Sequence, residues 1–362
     1  MPYLFLFAFI IIPLSFIRPH NTLLRKYELH YVCIFLLILI LTLFYGLRYN
    51  VGIDYMTYYK IAESKKYDLP LEGKGELFEP AFRLIYKLVD FFCLPPNTLF
   101  LFGGFIIYAF IFMGLLQYSR NYALSLFIFY SSGLYFFSFN EFRQFIAVSI
   151  IFFGYRYCIQ RNLFKWTLIV VIAFLYHKTA LLAFPMYYLC ALSLKKSIVN
   201  VLVILTLLIK KIGAIELLCT IISFIPGYFG NYAEILPYMI TEGSSGIIGY
   251  VYMLIIFLIN NCPSYNFFEF KDRFFFNLFL FASIFINVFY NVYMVGRLME
   301  YFSISLLVLY PTFYIQSKRR KATYIIALLI TFLFTANFFK FVLYPPKGSL
   351  LEYHTVFNKY GD

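Results

Sequence analysis

Charge is what this sequence has least of. Asp, Glu, Lys and Arg make up 13% of it and hydrophobic residues 62%, whereas a soluble domain carries roughly a quarter charged residues. The net charge of +13 therefore does not point to nucleic acid, because no soluble basic domain carries it. The six cysteines form no CxxC pair and no Cys/His cluster, so zinc-site spacing is absent. Cys33, Cys158 and Cys190 lie within apolar runs, where a thiol behaves as a small hydrophobe. Cys93 and Cys219 are the ones placed for an oxidising side, with no spacing that pairs them. There is no DxD motif and no clustered His/Asp spacing, so neither metal nor cofactor is expected. The first segment, Pro2 to Ile17, lacks a basic leader and a small-residue cleavage site and reads as a retained span. No internal repeat of the transporter kind is visible.

What the chain has instead is apolar stretches, recurring from end to end. Each is close to the roughly 20 residues that cross a hydrocarbon core of about 30 Å as a helix. In lipid every backbone polar group must be paired, which leaves helices or closed barrels. Continuous apolar runs exclude the alternation of a barrel. The expected fold class is all-α: a polytopic integral membrane helix bundle of about twelve transmembrane helices. The expected spans are 2–17, 29–47, 97–117, 121–139, 142–160, 163–177, 179–194, 197–211, 246–261, 273–292, 298–316 and 322–343. The segment 213–229, broken by Gly213, Pro226 and Gly227, reads as re-entrant or interfacial. The 48 Phe and 35 Tyr fit either a sugar-stacking surface or a compositional drift, and composition favours drift for most of them.

Charge sets the orientation. With the N-terminus outside, the cytoplasmic loops hold fifteen basic and three acidic residues, including the run Lys318 to Lys321, while the outer face is nearly neutral. That is the positive-inside pattern. Two outer segments are long, approximately 48–96 and 212–245. Within the first, Glu76, Glu79, Arg83, Lys87 and Asp90 recur at helical spacing, with Phe78, Phe82, Ile85, Val89 and Phe92 on other faces. Pro80 suits a first helical turn. The pattern predicts a helix lying in the outer membrane interface.

A charge at mid-membrane costs about 2.5–3.5 kcal/mol or more, so polar groups at span ends are cheaper and usually anchors. Here three arginines, Arg48, Arg143 and Arg297, fall at the outer ends of different spans, each with polar company. Arg48 lies between Gly46 and Gly52 in a turn that runs on to Asp54, and the two can pair or Asp54 can act as a base. Asn140, Glu141, Arg143 and Gln144 mark a helix re-entering the membrane. Tyr176, His177, Lys178 and Thr179 form a polar hinge, and Asn287, Asn291 and Tyr293 lead to Arg297 and Glu300. Guanidinium groups converging from separate helices suit phosphate oxygens, since each planar fork grips two oxygens and stays charged when dehydrated.

These groups, in this order, resemble the EpsG-like branch of Wzy-type bacterial polysaccharide polymerases. GLRYNVGIDYMTYY at 46–59 carries most of the likeness. FNEFRQ at 139–144, YHKTA at 176–180 and GRLMEYF at 296–302 add to it, while roughly 195–245 matches nothing. The resemblance implies one transmembrane polymerase domain over 1–362 in the bacterial cytoplasmic (inner) membrane, with its active face periplasmic. Its donor and acceptor would be oligosaccharide repeats on undecaprenyl diphosphate, and its product O-antigen, capsule or exopolysaccharide. Membrane lipid, a flippase and a chain-length regulator are the expected partners, with no nucleic acid.

For that transfer, Arg48, Arg143 and Arg297 are assigned to the diphosphate, which leaves once its charge is stabilised. The base on the acceptor hydroxyl is His177 first, then Asp54, then Glu141. Tyr49 and Tyr55 are the candidate sugar-stacking surfaces. The alternatives are a flippase or exporter of the same lipid-linked sugars, a lipid-sugar-dependent transferase of the GT-C type, and a membrane acyltransferase using His177. The gathering of charges at one face favours the polymerase.

Overall fold

The computed structural model describes residues 24–69, 78–189, 191–212, 246–343 and 353–358. The expected span at 2–17, the broken segment 213–229 with most of the second outer loop, and Glu76, Cys190 and Cys219 lie outside the described residues. Within them the fold is nearly all helix, as paired backbone groups in lipid require. The chain divides into two compact units. One is Met1–Phe184 with Tyr310–Thr312 and Thr331–Asp362; the other is Pro185–Leu309 with Phe313–Ile330.

The first unit begins with α1 (Leu24–Gly46), strand β1 (Arg48–Tyr49), α2 (Tyr55–Ser64) and α3 (Pro80–Phe91). It continues with α4 (Thr98–Tyr118), α5 (Tyr122–Ser131), α6 (Leu134–Asn140), α7 (Phe142–Ile159), α8 (Leu163–Phe174) and a 3₁₀ segment, Lys178–Ala183. Helix α4 is the hub, packed against both α1 and α7. Glycines make that approach possible. A Cβ on Gly46 would lie 2.8 Å from the Leu101 Cα, and one on Gly114 would lie 2.6 Å from the Phe152 ring. Small residues at such contacts are the means by which helices associate in lipid, where burial alone gives little drive.

The second unit holds α9 (Met186–Leu189), α10 (Lys196–Ile212), α11 (Ile247–Asn261), α12 (Phe270–Val288), α13 (Tyr293–Leu298) and α14 (Glu300–Ser303). Helices α15 (Leu306–Ser317) and α16 (Lys321–Leu343) give residues to both units. An amide network fastens α10 to α11: Asn200 Oδ1 accepts from Asn260 and from Asn261, each at 2.9 Å. A reciprocal cap between Glu269 and Asp272 starts α12.

Among the described residues, Thr98–Tyr118 and Lys321–Lys340 are long and apolar enough to cross a membrane alone. Two bent pairs bring the number to four, Tyr122–Ser131 with Leu134–Asn140 (56°) and Met294–Ser303 with Leu306–Ser317 (51°). Twelve spans are not confirmed: three expected runs hold shorter apolar helices, Tyr31–Gly46, Leu163–Phe174 and Ile247–Asn261, and two others are interrupted. The apolar run 179–194 is not one helix, because the chain folds as the 3₁₀ segment and Pro185, which has no N–H to give, separates it from the four residues of α9. The run 121–139 breaks at Gly133, whose φ of +95° ends one helix and starts another.

A helix is present where the spacing predicts one, as α3, with Pro80 at its first position. Phe82, Ile85, Tyr86 and Val89 are buried, while Leu84, Leu88 and Phe91 stay exposed as a second apolar row. Its charges are tied to the end of α2: Lys65 pairs with Asp90 at 2.5 Å, and Arg83 and Lys87 reach Asp68 at 3.4 and 3.3 Å. Phe92, placed by spacing with the apolar residues, is exposed.

Candidate active site

The polar centre of the first unit is built where α7 begins, α8 ends and α3 starts. Glu79 precedes α3 with extended backbone (ψ 146°), so helical periodicity does not govern its direction. Its side chain is 6% exposed. One oxygen, Oε2, accepts from Arg143 Nη1 at 2.6 Å. The other, Oε1, lies 3.2 Å from His177 Nδ1 and accepts from the Lys178 backbone N–H at 3.3 Å. The same junction is stapled by the Ala81 N–H, which donates to the Leu175 carbonyl at 2.9 Å. Residues about 60 and 100 positions apart in sequence thus share one carboxylate.

Arg143 is held on a second side. Its Nε donates to the Tyr58 hydroxyl at 3.2 Å, and its guanidinium sits 4.9 Å from the Phe78 ring centre. Among the described residues its Nη2 makes no hydrogen bond. A guanidinium has five N–H donors in a rigid fork, so Arg143 keeps donors for an anion while remaining fixed. Burial pushes the Glu79 carboxyl up, but the hydrogen bond from His177 and the charges of Arg143 and His177 outweigh it and hold the group at about 2. An ionised carboxylate only accepts, so the facing His177 Nδ1 carries a proton. When neutral, the imidazole then has its basic lone pair on Nε2.

Arg48 is placed differently from the expectation. It is fully buried, with Nη2 donating to the Phe139 carbonyl at 3.3 Å and the guanidinium 3.8 Å from the Tyr45 ring and 4.3 Å from the Phe139 ring. It does not pair with Asp54: among the described residues it forms no ion pair, and its Nε and Nη1 have no hydrogen-bond partner. Quadrupole attraction from the rings takes the place of a counter-charge. Arg48 therefore pins its own turn to the α6–α7 break. The turn closes over that break a second time, as the Ile53 N–H donates to Asn140 Oδ1 at 2.9 Å. Gly52 has a φ of +109°, and a Cβ there would meet the Phe139 carbonyl at 2.6 Å.

Asp54 is half-buried at the start of α2 and makes no capping bond with its side chain. Glu141 is buried at the N-cap position of α7. Tyr55 is fully buried and stacked on Phe100 at 4.3 Å, so its ring is not an exposed surface for a sugar. Tyr49 is half-buried with edge contacts to Tyr55 and Tyr59. Arg297 belongs to the second unit, half-buried in the last turn of α13. Among the described residues no three His, Cys, Asp or Glu side chains are grouped to hold a metal ion.

Two residues escaped the sequence reading. Glu79 was placed on the polar face of the interfacial helix, yet it stands outside that helix and turns inward. Lys210, in the second unit, was unremarked. Its Nζ donates to the Gly246 carbonyl at 3.0 Å and to Asn287 Oδ1 at 3.1 Å, with the Tyr250 ring 3.5 Å away. A lysine late in an apolar helix was the available signal.

A helical membrane protein that buries a carboxylate between an imidazole and a guanidinium has the parts of an acid–base site for an anionic substrate. The EpsG family model matches residues 31–355, and the chain belongs to the EpsG family. Membership supports a polysaccharide-polymerase-like role in the membrane. No curated protein and no solved structure matches the chain.

Proposed function

We propose that the protein polymerises oligosaccharide repeat units carried on undecaprenyl diphosphate, by metal-independent, inverting glycosyl transfer at the face of the membrane away from the cytoplasm. The observation that carries this reading is the Glu79 carboxylate, which holds His177 and Arg143 together at 3.2 and 2.6 Å. In the transfer, His177 Nε2 takes the proton of the acceptor hydroxyl as its oxygen bonds to the anomeric carbon of the donor sugar. The bond from that carbon to the diphosphate oxygen breaks, and the electron pair leaves with the lipid diphosphate. Arg143 stabilises the charge that develops there. Asp54 and Glu141 are the alternative bases. The product is O-antigen, capsule or exopolysaccharide, with a flippase and a chain-length regulator as partners.

The test is polymer formed by purified protein from lipid-linked repeats. His177→Gln should lose about 10²-fold or more in turnover, the usual contribution of a positioned base. Near-normal turnover would remove His177 as base and promote Asp54. Deleting the gene separates the exporter reading: single repeats outside the cell without a ladder support polymerisation, and absence of all repeats outside supports export.

A further inference from the structure

We propose that Glu79 is the positioning residue of this site, accepting Nδ1–H of His177 with one oxygen and Arg143 with the other, so that Nε2 of His177 is the basic atom and the nearby guanidinium does not suppress its basicity. The inference deepens the polymerase reading and rests on it for the identity of the substrate. The geometry stands by itself. Oε1 and Oε2 face different cations, at 3.2 and 2.6 Å. The Lys178 backbone N–H adds a third hydrogen bond to the carboxylate, on Oε1 at 3.3 Å.

A guanidinium beside an imidazole disfavours the imidazolium, because like charges repel. The interposed carboxylate reverses that sign. Among the described residues, the groups facing His177 include Glu79 from the segment entering α3, Arg143 of α7 behind it, Tyr58 of α2 on Arg143, and Tyr176 and Lys178 on its own segment. Of these, Glu79 is the one carboxylic acid. A purely structural Glu79, stapling α3 to the α8 hinge, would set how much protein folds and leave the titration of His177 where it is.

Gln at position 79 keeps the shape and loses the charge. Its carbonyl can still accept from one neighbour, but its amide N–H₂ then points a donor at the other. Arg143→Gln has the opposite effect, leaving His177 with the acid and without the cation. The experiment is ¹⁵N spectroscopy of the detergent-purified full chain, labelled at its four histidines, with His177 assigned by the resonance lost in His177→Gln. In the wild type the neutral ring should carry its proton on Nδ1. Glu79→Gln should lower the His177 titration midpoint by about one unit or more, and Arg143→Gln should raise it. Any other pair of signs overturns the proposal. If Glu79→Gln is not recovered as folded protein, Arg143→Gln decides alone: a rise supports the proposal, and no rise overturns it. The acid limb of polymer formation from undecaprenyl-diphosphate-linked repeats should move with the midpoint in Glu79→Gln. If the resonances shift as expected while His177→Gln polymerises normally, the base assignment falls and the positioning role of Glu79 stands.

Discussion

Single residues divide here into those that hold the turn and those that face chemistry, and arginine does both. Arg48 is sealed among rings and Arg143 is fixed with donors to spare, so the same substitution should have opposite signatures. Arg48→Lys should lower the thermal midpoint of the purified protein, because a compact ammonium cannot stack as a guanidinium does. Arg143→Lys, which keeps the charge facing Glu79, should lose most polymer at normal protein levels. If Arg48→Lys is thermally normal, Arg48 does not pin the turn. Glu79 adds a pH signature. A carboxyl at 4.5 when free and about 2 in the fold contributes stability that is complete above about pH 4.5 and lost as pH falls through about 2. The shift corresponds to about 3 kcal/mol. The stability gap between wild type and Glu79→Gln should therefore narrow below pH 4.5, and equal gaps at pH 6 and pH 3 would refute the assignment. Gly52→Ala, strained at φ +109° and blocked by the Phe139 carbonyl, should cost about 1–3 kcal/mol.

Helices are judged by contact. Helix α4 is apolar all round, yet its two sides differ: Gly103 and Gly114 meet aromatic rings of α7, while Phe105 and Met113 remain exposed. Gly114→Leu should push α4 from α7 and destabilise the protein by about 1–3 kcal/mol, the usual cost of overpacking. Phe105→Leu, on the exposed side, should leave the thermal midpoint within a degree or two, as surface changes do. Equal effects of the two would mean that α4 is not the hub. Hydropathy saw α4 readily, since its run is long and unbroken. It read 179–194 as a span because apolar content says nothing of hydrogen-bond geometry around Pro185.

For the molecule as a whole, strand pairing gives a test that charge bias alone did not. Arg48 pairs with Thr355 and Tyr49 with His354, and Tyr353 stacks on Phe44 at 4.1 Å. The segment 353–358 is thereby fastened to the end of α1 that carries the Arg48 turn. In a cysteine-free background, Lys60→Cys and Phe357→Cys should label from one side of the membrane and Arg319→Cys from the other. Labelling of positions 60 and 357 from opposite sides would break both the pairing and the proposed active face.

The sequence by itself determined that the chain is helical and lies in a membrane, because scarce charge and long apolar runs leave the backbone no other way to pair in lipid. It also singled out Arg143 and His177, since polar groups at span ends are few. Tertiary structure alone decided which of these groups meet. Whether an arginine is buried in rings or presented to an acid depends on neighbours some ninety residues away, such as Phe139 for Arg48. Glu79 shows the reason most directly. Its spacing fits a helix face, but Pro80 starts the helix one residue later, and an extended residue turns wherever its long-range partners draw it.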